Sequence, residues 1–315
     1  MDKDKYLSKT LSNIKTEEIL HVFLIVNPVA LFVSKMIIDD NNIKDTNLLI
    51  ISLRNTDVSL ISKVFIKPNE SYFNRLLIKF FSYSPISTDI IKKIHSKNKK
   101  FILYTSWAYH ESISTPSVDK ILTSNLCQGH FYLEEGQASY RKSKPYSVNT
   151  IYRDKPKHAE NLKNIYRDDA LGYIGILPDA FPDAPYDKRI IISNYAQLIK
   201  AYKPKLLGVE TIGLTCAERR LKIDQWESML SKLIKNMPNG GVIKLHPSFI
   251  TNKRIQDKIE SIFHKLAPAS ISLCPNDTIL EIEMMFETKT LIGSITSLNR
   301  YAEQFGSKFI SIDLY

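Results

Sequence analysis

The chain is poor in cysteine, with Cys127, Cys216 and Cys274 the only three in 315 residues. An odd number at wide spacing excludes a disulfide framework and indicates reduced thiols in a cytosolic compartment. An uninterrupted apolar run of membrane-spanning length is also missing. The one long apolar segment, His21 to Ile38, is broken by Asn27, Pro28, Ser34 and Lys35, so it reads as strand, turn and helix. The N-terminal stretch MDKDKYLSKTLSNIKTEEIL lacks the apolar core of a secretory signal. There is no zinc-ligand spacing, no helix-turn-helix signature and no RNA-recognition aromatic motif, so nucleic acid is not an expected partner. Low-complexity tracts and short internal repeats are absent as well.

What is present is the make-up of a globular protein with sizeable cores: 43% hydrophobic and 24% charged residues. A length of 315 residues indicates two domains. Forty-three Lys and Arg against 33 Asp and Glu leave a net charge of +10, with clusters at Lys92 to Lys100, Arg141 to Lys144 and Arg153 to Lys157. Such a surface suits anionic partners, among them an acidic membrane leaflet, a phosphorylated glycan or a nucleotide. It equally describes an ordinary solvated face.

Short apolar strands alternate with helical spacing along the whole chain. Strands are expected at His21 to Pro28, Asn47 to Leu53, Lys63 to Lys67, Lys100 to Ser106 and His130 to Glu135, with helices over Val29 to Ile38, Phe73 to Phe81 and Asp89 to Lys97. LPDAFPDAPYDK, Leu177 to Lys188, carries three prolines and three aspartates and reads as a connector. The boundary is therefore set at residues 185/186, giving domains 1–185 and 186–315. The second half continues with strands at KLLGVETI, GVIKLH, SISLC, TLIGS and KFISIDL. Helices are expected between them over Ala217 to Asn236, Lys253 to Lys265, Asp277 to Phe286 and Ser297 to Phe305. The pattern predicts an α/β protein of two Rossmann-like parallel-sheet lobes facing a central cleft, with ligands at the carboxyl ends of the strands.

Four strand ends carry residues suited to chemistry. Glu134 and Glu135 precede Gly136 at the end of HFYLEE; one of the pair can serve as a general base while the glycine permits a tight turn. Lys244 and His246 stand two apart before Pro247, hence on one strand face, and both suit a phosphate. Gly293 leads into Ser294, Thr296 and Ser297, hydroxyls at the start of a helix where anions bind. Glu281, on the helix after Cys274 to Asp277, can accept hydrogen bonds from a ribose, whereas Glu283 and Glu287 look like exposed helix charges. Each motif also has a plain structural reading: a polar loop, a core histidine, a helix cap.

Taken in order, Glu-Glu-Gly, Lys-x-His-Pro, Pro-x-x-x-x-x-Glu and Gly-x-x-Thr-Ser resemble the bacterial GT-B sialyltransferases, the group holding the polysialyltransferases and glycosyltransferase family 52. VNPVALFVSKMII is similar to the first strand and helix of these proteins. The resemblance implies an inverting, metal-independent transferase that moves sialic acid, or a related nonulosonic acid, from its CMP derivative to a lipooligosaccharide or capsule glycan. It implies a cytoplasmic location at the inner face of the membrane, a glycan acceptor that is lipid-linked, and no cofactor beyond the donor. Residue by residue, it makes Glu134 or Glu135 the base, with Glu134 the first choice. His246 beside Pro247 contacts the donor phosphate, Thr296 and Ser297 bind the same phosphate, and Glu281 holds the cytidine ribose. Alternatives are a GT-B transferase using CMP-Kdo or a UDP-hexose, and a non-catalytic nucleotide-binding scaffold subunit.

Overall fold

The computed structural model describes residues 19–52, 58, 61, 85–106, 121–122, 124–140, 170–193, 195–218, 221–250 and 253–314. The chain divides into two units, Met1–Leu198 and Ile199–Tyr315. The expected strand at Lys63 to Lys67, the helix over Phe73 to Phe81 and the basic clusters after Tyr140 lie outside the described residues.

In the first unit, β1 (Leu20–Ile25), β2 (Leu48–Ser52), β3 (Phe101–Ser106), β4 (Cys127–Leu133), β5 (Gly172–Gly175) and β6 (Arg189–Ile191) form one parallel sheet in the order β2-β1-β3-β4-β5-β6. Helices α1 (Pro28–Asp40) and α2 (Pro85–His95) connect its early strands. Every residue of β1 and β3 is buried, because helices cover both faces of a parallel sheet. Leu20, Val22 and Leu24 pack with Leu103, Ile90 and Ile94 on one face. On the other face Phe23, Tyr104 and Phe131 stack across three strands, with centroid separations of 4.2 and 5.3 Å. Such pairs add roughly 0.5–1.5 kcal/mol each beyond their buried area.

The second unit repeats the design. β7 (Thr211–Leu214), β8 (Gly241–Lys244), β9 (Ile271–Leu273), β10 (Thr290–Gly293) and β11 (Lys308–Ser311) lie parallel in the order β11-β10-β7-β8-β9. Helices α4 (Gln225–Lys235) and α6 (Lys253–Leu266) build the core around Trp226, Met229, Leu233, Ile243, Ile259 and Phe263. Helix α3 (Ala196–Ala201) spans the junction of the two units, and the shorter helices of the second are α5 (Pro247–Ile250), α7 (Leu280–Phe286) and α8 (Leu298–Gln304). No helix among the described residues is long and apolar enough to cross a membrane.

Three expectations need correction. The proline-rich segment at Leu177 to Lys188 is not an interdomain connector; it joins β5 to β6 within the first sheet, so that unit extends to Leu198 rather than to residue 185. KLLGVETI is strand only at its end. Its first half turns, with Gly208 at φ +77° and Val209 N–H donating to the Leu206 carbonyl. Glu283 is buried instead of exposed, because its carboxylate accepts from Tyr202 Oη (2.8 Å) and from the N–H groups of Lys205 (2.8 Å) and Leu206 (3.0 Å). That turn and that glutamate hold each other, since a buried charge is tolerable only when hydrogen-bonded.

Lys92, Lys93, Lys97 and Lys100 are exposed, at the end of α2 and in the turn before β3. They therefore crowd the amino-terminal edge of the first sheet, away from the strand ends that carry Glu134 and Glu135.

His21 supplies a pH test of this packing. Its Nδ1 is 3.0 Å from Tyr104 Oη, and burial lowers its pKa to about 4. Between that value and the ordinary 6.5 the unfolded chain binds the proton and the folded chain does not. Stability contributed by neutral His21 is therefore present at neutral pH and lost on acidification, by roughly 3 kcal/mol at the limit. Urea unfolding at neutral pH and near pH 4.5 should show a steeper loss for wild type than for His21→Asn. Equal losses would contradict the assignment.

Candidate functional site

In the first unit the site is the carboxyl edge where β1, β4 and β5 end. Glu134 N–H continues the ladder to the Ile174 carbonyl at 2.9 Å, and the side chains of Glu134 and Glu135 then alternate as strand geometry requires. Glu134 is fully buried. Its Oε1 accepts from Tyr140 Oη, and its Oε2 accepts from Ile176 N–H at 2.7 Å and Leu177 N–H at 3.3 Å. The carboxylate thus satisfies backbone donors of the segment leaving β5. Gly175 makes room for it, since a Cβ there would stand 2.8 Å from Glu134 Oε2. Burial first, and then the Glu134 charge, push the Tyr195 hydroxyl up to about 12.

The backbone of Glu135 is fixed from two sides. Its N–H donates to Ser139 Oγ (3.0 Å) and its carbonyl accepts from Asn27 Nδ2 (2.7 Å). Asn27 also caps α1, Oδ1 accepting from Ala30 N–H at 2.9 Å with Pro28 at the first helical position. Gly136, at φ +103°, turns the chain so that Ser139 and Tyr140 come back under the two glutamates. The structure therefore brings VNP and EEG together at strand ends separated by β3 alone. Glu134 is committed to the Tyr140 hydroxyl and to the Ile176 and Leu177 N–H donors.

In the second unit, Leu214 of β7 pairs with Lys244 on one side and with Gly293 on the other. This is the point where the strand order reverses direction, the place where such sheets bind ligands. Gly293 is required there, because a Cβ would fall 2.8 Å from the Leu214 carbonyl oxygen. Thr215 follows Leu214, and its Oγ1 accepts from His246 N–H at 2.7 Å. His246 Nδ1 lies 2.9 Å from Ser248 Oγ and 3.1 Å from Ser248 N. Ser248 Oγ accepts in turn from Glu218 N–H at 2.8 Å.

Beyond Gly293, the Ser294 hydroxyl is buried and meets no hydrogen-bond partner among the described residues. Thr296 Oγ1 accepts from Leu298 N–H at 3.2 Å, while Ser297 precedes α8 without a side-chain capping bond. Lys244 is partly diverted from any anion, for its Nζ donates to the carbonyls of Pro275 (3.0 Å) and Asn276 (2.7 Å). Burial lowers its pKa, opposed by the charges of Cys274, Glu281 and Asp277. Lys244 and Glu281 thus flank one loop, which a Lys205–Asp277 ion pair also anchors. Among the described residues, no three His, Cys, Asp or Glu side chains form a group able to hold a metal.

Thr215, Ser248, Asn27 and Tyr140 were not singled out from the sequence. Ser248 had a signal, standing two residues after His246 beyond a helix-starting proline. Thr215 had none, because its role depends on which strand neighbours β8.

No family model matches the chain, and no curated protein does. Solved structures do. Over 93% of this chain and 82% of the other, it is similar to UDP-GlcNAc 2-epimerase from Neisseria meningitidis bound to UDP-GlcNAc, at 12% identity and a TM-score of 0.52. The S. aureus MnaA–UDP co-structure gives 11% identity and a TM-score of 0.56, over 94% of this chain and 80% of that one. The fold is of GT-B type, with two Rossmann-like parallel-sheet lobes.

The contrast between the glutamates is measurable as stability. Glu134→Gln replaces an acceptor of several buried hydrogen bonds and should cost about 3 kcal/mol, more than Glu135→Gln, which leaves the backbone bonds of residue 135 in place. Urea denaturation of the two variants checks this. Equal destabilisation would contradict the division of roles.

Proposed function

We propose that the chain is a nucleotide-sugar-dependent glycosyltransferase of the bacterial GT-B sialyltransferase group. In this reading it moves sialic acid, or a related nonulosonic acid, from a CMP donor to a cell-surface glycan. The observation that carries the reading is the orphaned Ser294 hydroxyl at the point where the second sheet reverses order. It follows the residue paired with Leu214, on the strand edge that also carries Lys244 and His246. A buried hydroxyl without a partner calls for a ligand acceptor such as a phosphate oxygen. The nucleotide-bound neighbours, one titled with UDP-GlcNAc and one with UDP, support a nucleotide sugar on this fold.

The chemistry divides between the lobes. In the second, His246 and the Ser294 hydroxyl donate to the departing phosphate, with Thr296 and Ser297 on the following turn. Glu281 takes the ribose, beside the loop that Lys244 shapes. In the first, Glu135 takes the acceptor's proton. The bond between the anomeric carbon and phosphate oxygen breaks with its electron pair on oxygen, and the acceptor oxygen bonds to that carbon from the opposite face. Charge develops on the phosphate as the sugar becomes oxocarbenium-like, so fixed donors there lower the barrier. A second reading, favoured by the epimerase named in one neighbouring structure, keeps the fold and replaces the donor by a UDP-sugar.

A thermal-shift panel of CMP, UMP, UDP and GDP separates the two. CMP at about 100 times its dissociation constant should stabilise the protein by about 2.7 kcal/mol, and Ser294→Ala should reduce the effect. Glu135→Gln should lower transfer by roughly 10²- to 10⁴-fold with CMP stabilisation unchanged. Stabilisation by UDP and not by CMP would replace the first reading with the second.

A further inference from the structure

We infer that Ser248 is the positioning residue that fixes the tautomer of His246, holding the imidazole as a neutral hydrogen-bond donor at Nε2. What that donor meets rests on the donor-site reading above; the tautomer itself does not.

The argument starts from Pro247. Its ring opens the short helix α5 and turns the following residue back over the histidine, so that Ser248 N–H points at His246 Nδ1 from 3.1 Å. A backbone N–H can only donate, so Nδ1 must present its lone pair. The direction of the Ser248 hydroxyl follows from that lone pair. Its oxygen accepts from Glu218 N–H at 2.8 Å, and facing a lone pair at Nδ1 it donates there at 2.9 Å. Two donors therefore converge on one ring nitrogen, and the single proton of the neutral ring sits on the other. The backbone of His246 is fixed from a third direction, its N–H donating to Thr215 Oγ1 at 2.7 Å and its carbonyl accepting from Phe249 N–H at 2.9 Å.

The consequence concerns the role of the histidine. A second proton at Nδ1 would face the Ser248 N–H, so His246 serves as a neutral donor rather than as an acid that gives its proton away. That suits a phosphate leaving group, which departs as a stable anion and needs no proton. The Nε2–H bond stays intact, the electron pair of the broken bond remains on phosphate oxygen, and the acceptor's proton goes to Glu135. Ser248 and Thr215 touch none of the reacting atoms. They act through His246.

The test is long-range ¹H–¹⁵N NMR of the full-length protein labelled in histidine, with turnover of variants measured beside it. Wild-type His246 should show a single tautomer, unprotonated at Nδ1 and protonated at Nε2. Ser248→Ala keeps the backbone donor and loses the hydroxyl, so it should admit a detectable fraction of the Nδ1–H tautomer, lower kcat about tenfold, the loss expected for one hydrogen bond, and weaken CMP stabilisation in the same sense. Ser248→Thr, which keeps the hydroxyl, should restore both readouts. A proton on Nδ1 in wild type, or a Ser248→Ala protein with one Nε2–H tautomer and full turnover, overturns the inference. The expected tautomers without transfer from any CMP-sugar would support the positioning role and count against the donor reading alone.

Discussion

Leu214, Lys244 and Gly293 lie side by side where three parallel strands stop, and the polar groups of the second lobe are arranged around that level. Parallel strands buried on both faces offer no solvent until they end, so every backbone group just past the last ladder bond needs a partner. Thr215 meets that need for His246 N–H. Lys244 meets it for the carbonyls of Pro275 and Asn276. Ser294 Oγ is left over. One residue set thus solves the hydrogen-bonding problem at the strand ends and leaves a single buried hydroxyl, that of Ser294, over.

The first lobe solves the same problem with a carboxylate. Glu134 gathers Ile176 N–H, Leu177 N–H and the Tyr140 hydroxyl, much as Glu283 gathers Tyr202, Lys205 and Leu206 in the second. In both cases an ionisable group organises irregular backbone that has no ladder of its own. Hydrogen bonds to a charged acceptor are stronger than neutral ones, which suits these carboxylates to holding loops that have no ladder.

Much of the fold was legible in the sequence because its strands are short β-branched runs bounded by turn residues. β1, β3, β8 and β10 stand out in this way. β5 did not, since two of its four residues are Gly172 and Gly175, and glycine argues against a strand until one knows that Glu134 needs the space. β6 was hidden by the proline-rich run before it, which looked like a domain linker. At the site, the residue types at the strand ends were readable, but the partition between Glu134 and Glu135 was not. It depends on Tyr140 and on the segment after β5, contacts that no local pattern encodes. Ser248 and Thr215 are of the same kind, visible only once the strand order is known.

The central claim is that the second lobe holds a CMP-activated sugar and assists departure of its phosphate. Phosphorus-31 NMR of CMP-N-acetylneuraminic acid incubated with the protein, without acceptor, tests it most directly. Slow release of CMP above the uncatalysed rate, reduced in a His246→Ala protein that remains folded, is the predicted result. An untouched CMP-sugar alongside consumption of UDP-GlcNAc would contradict it.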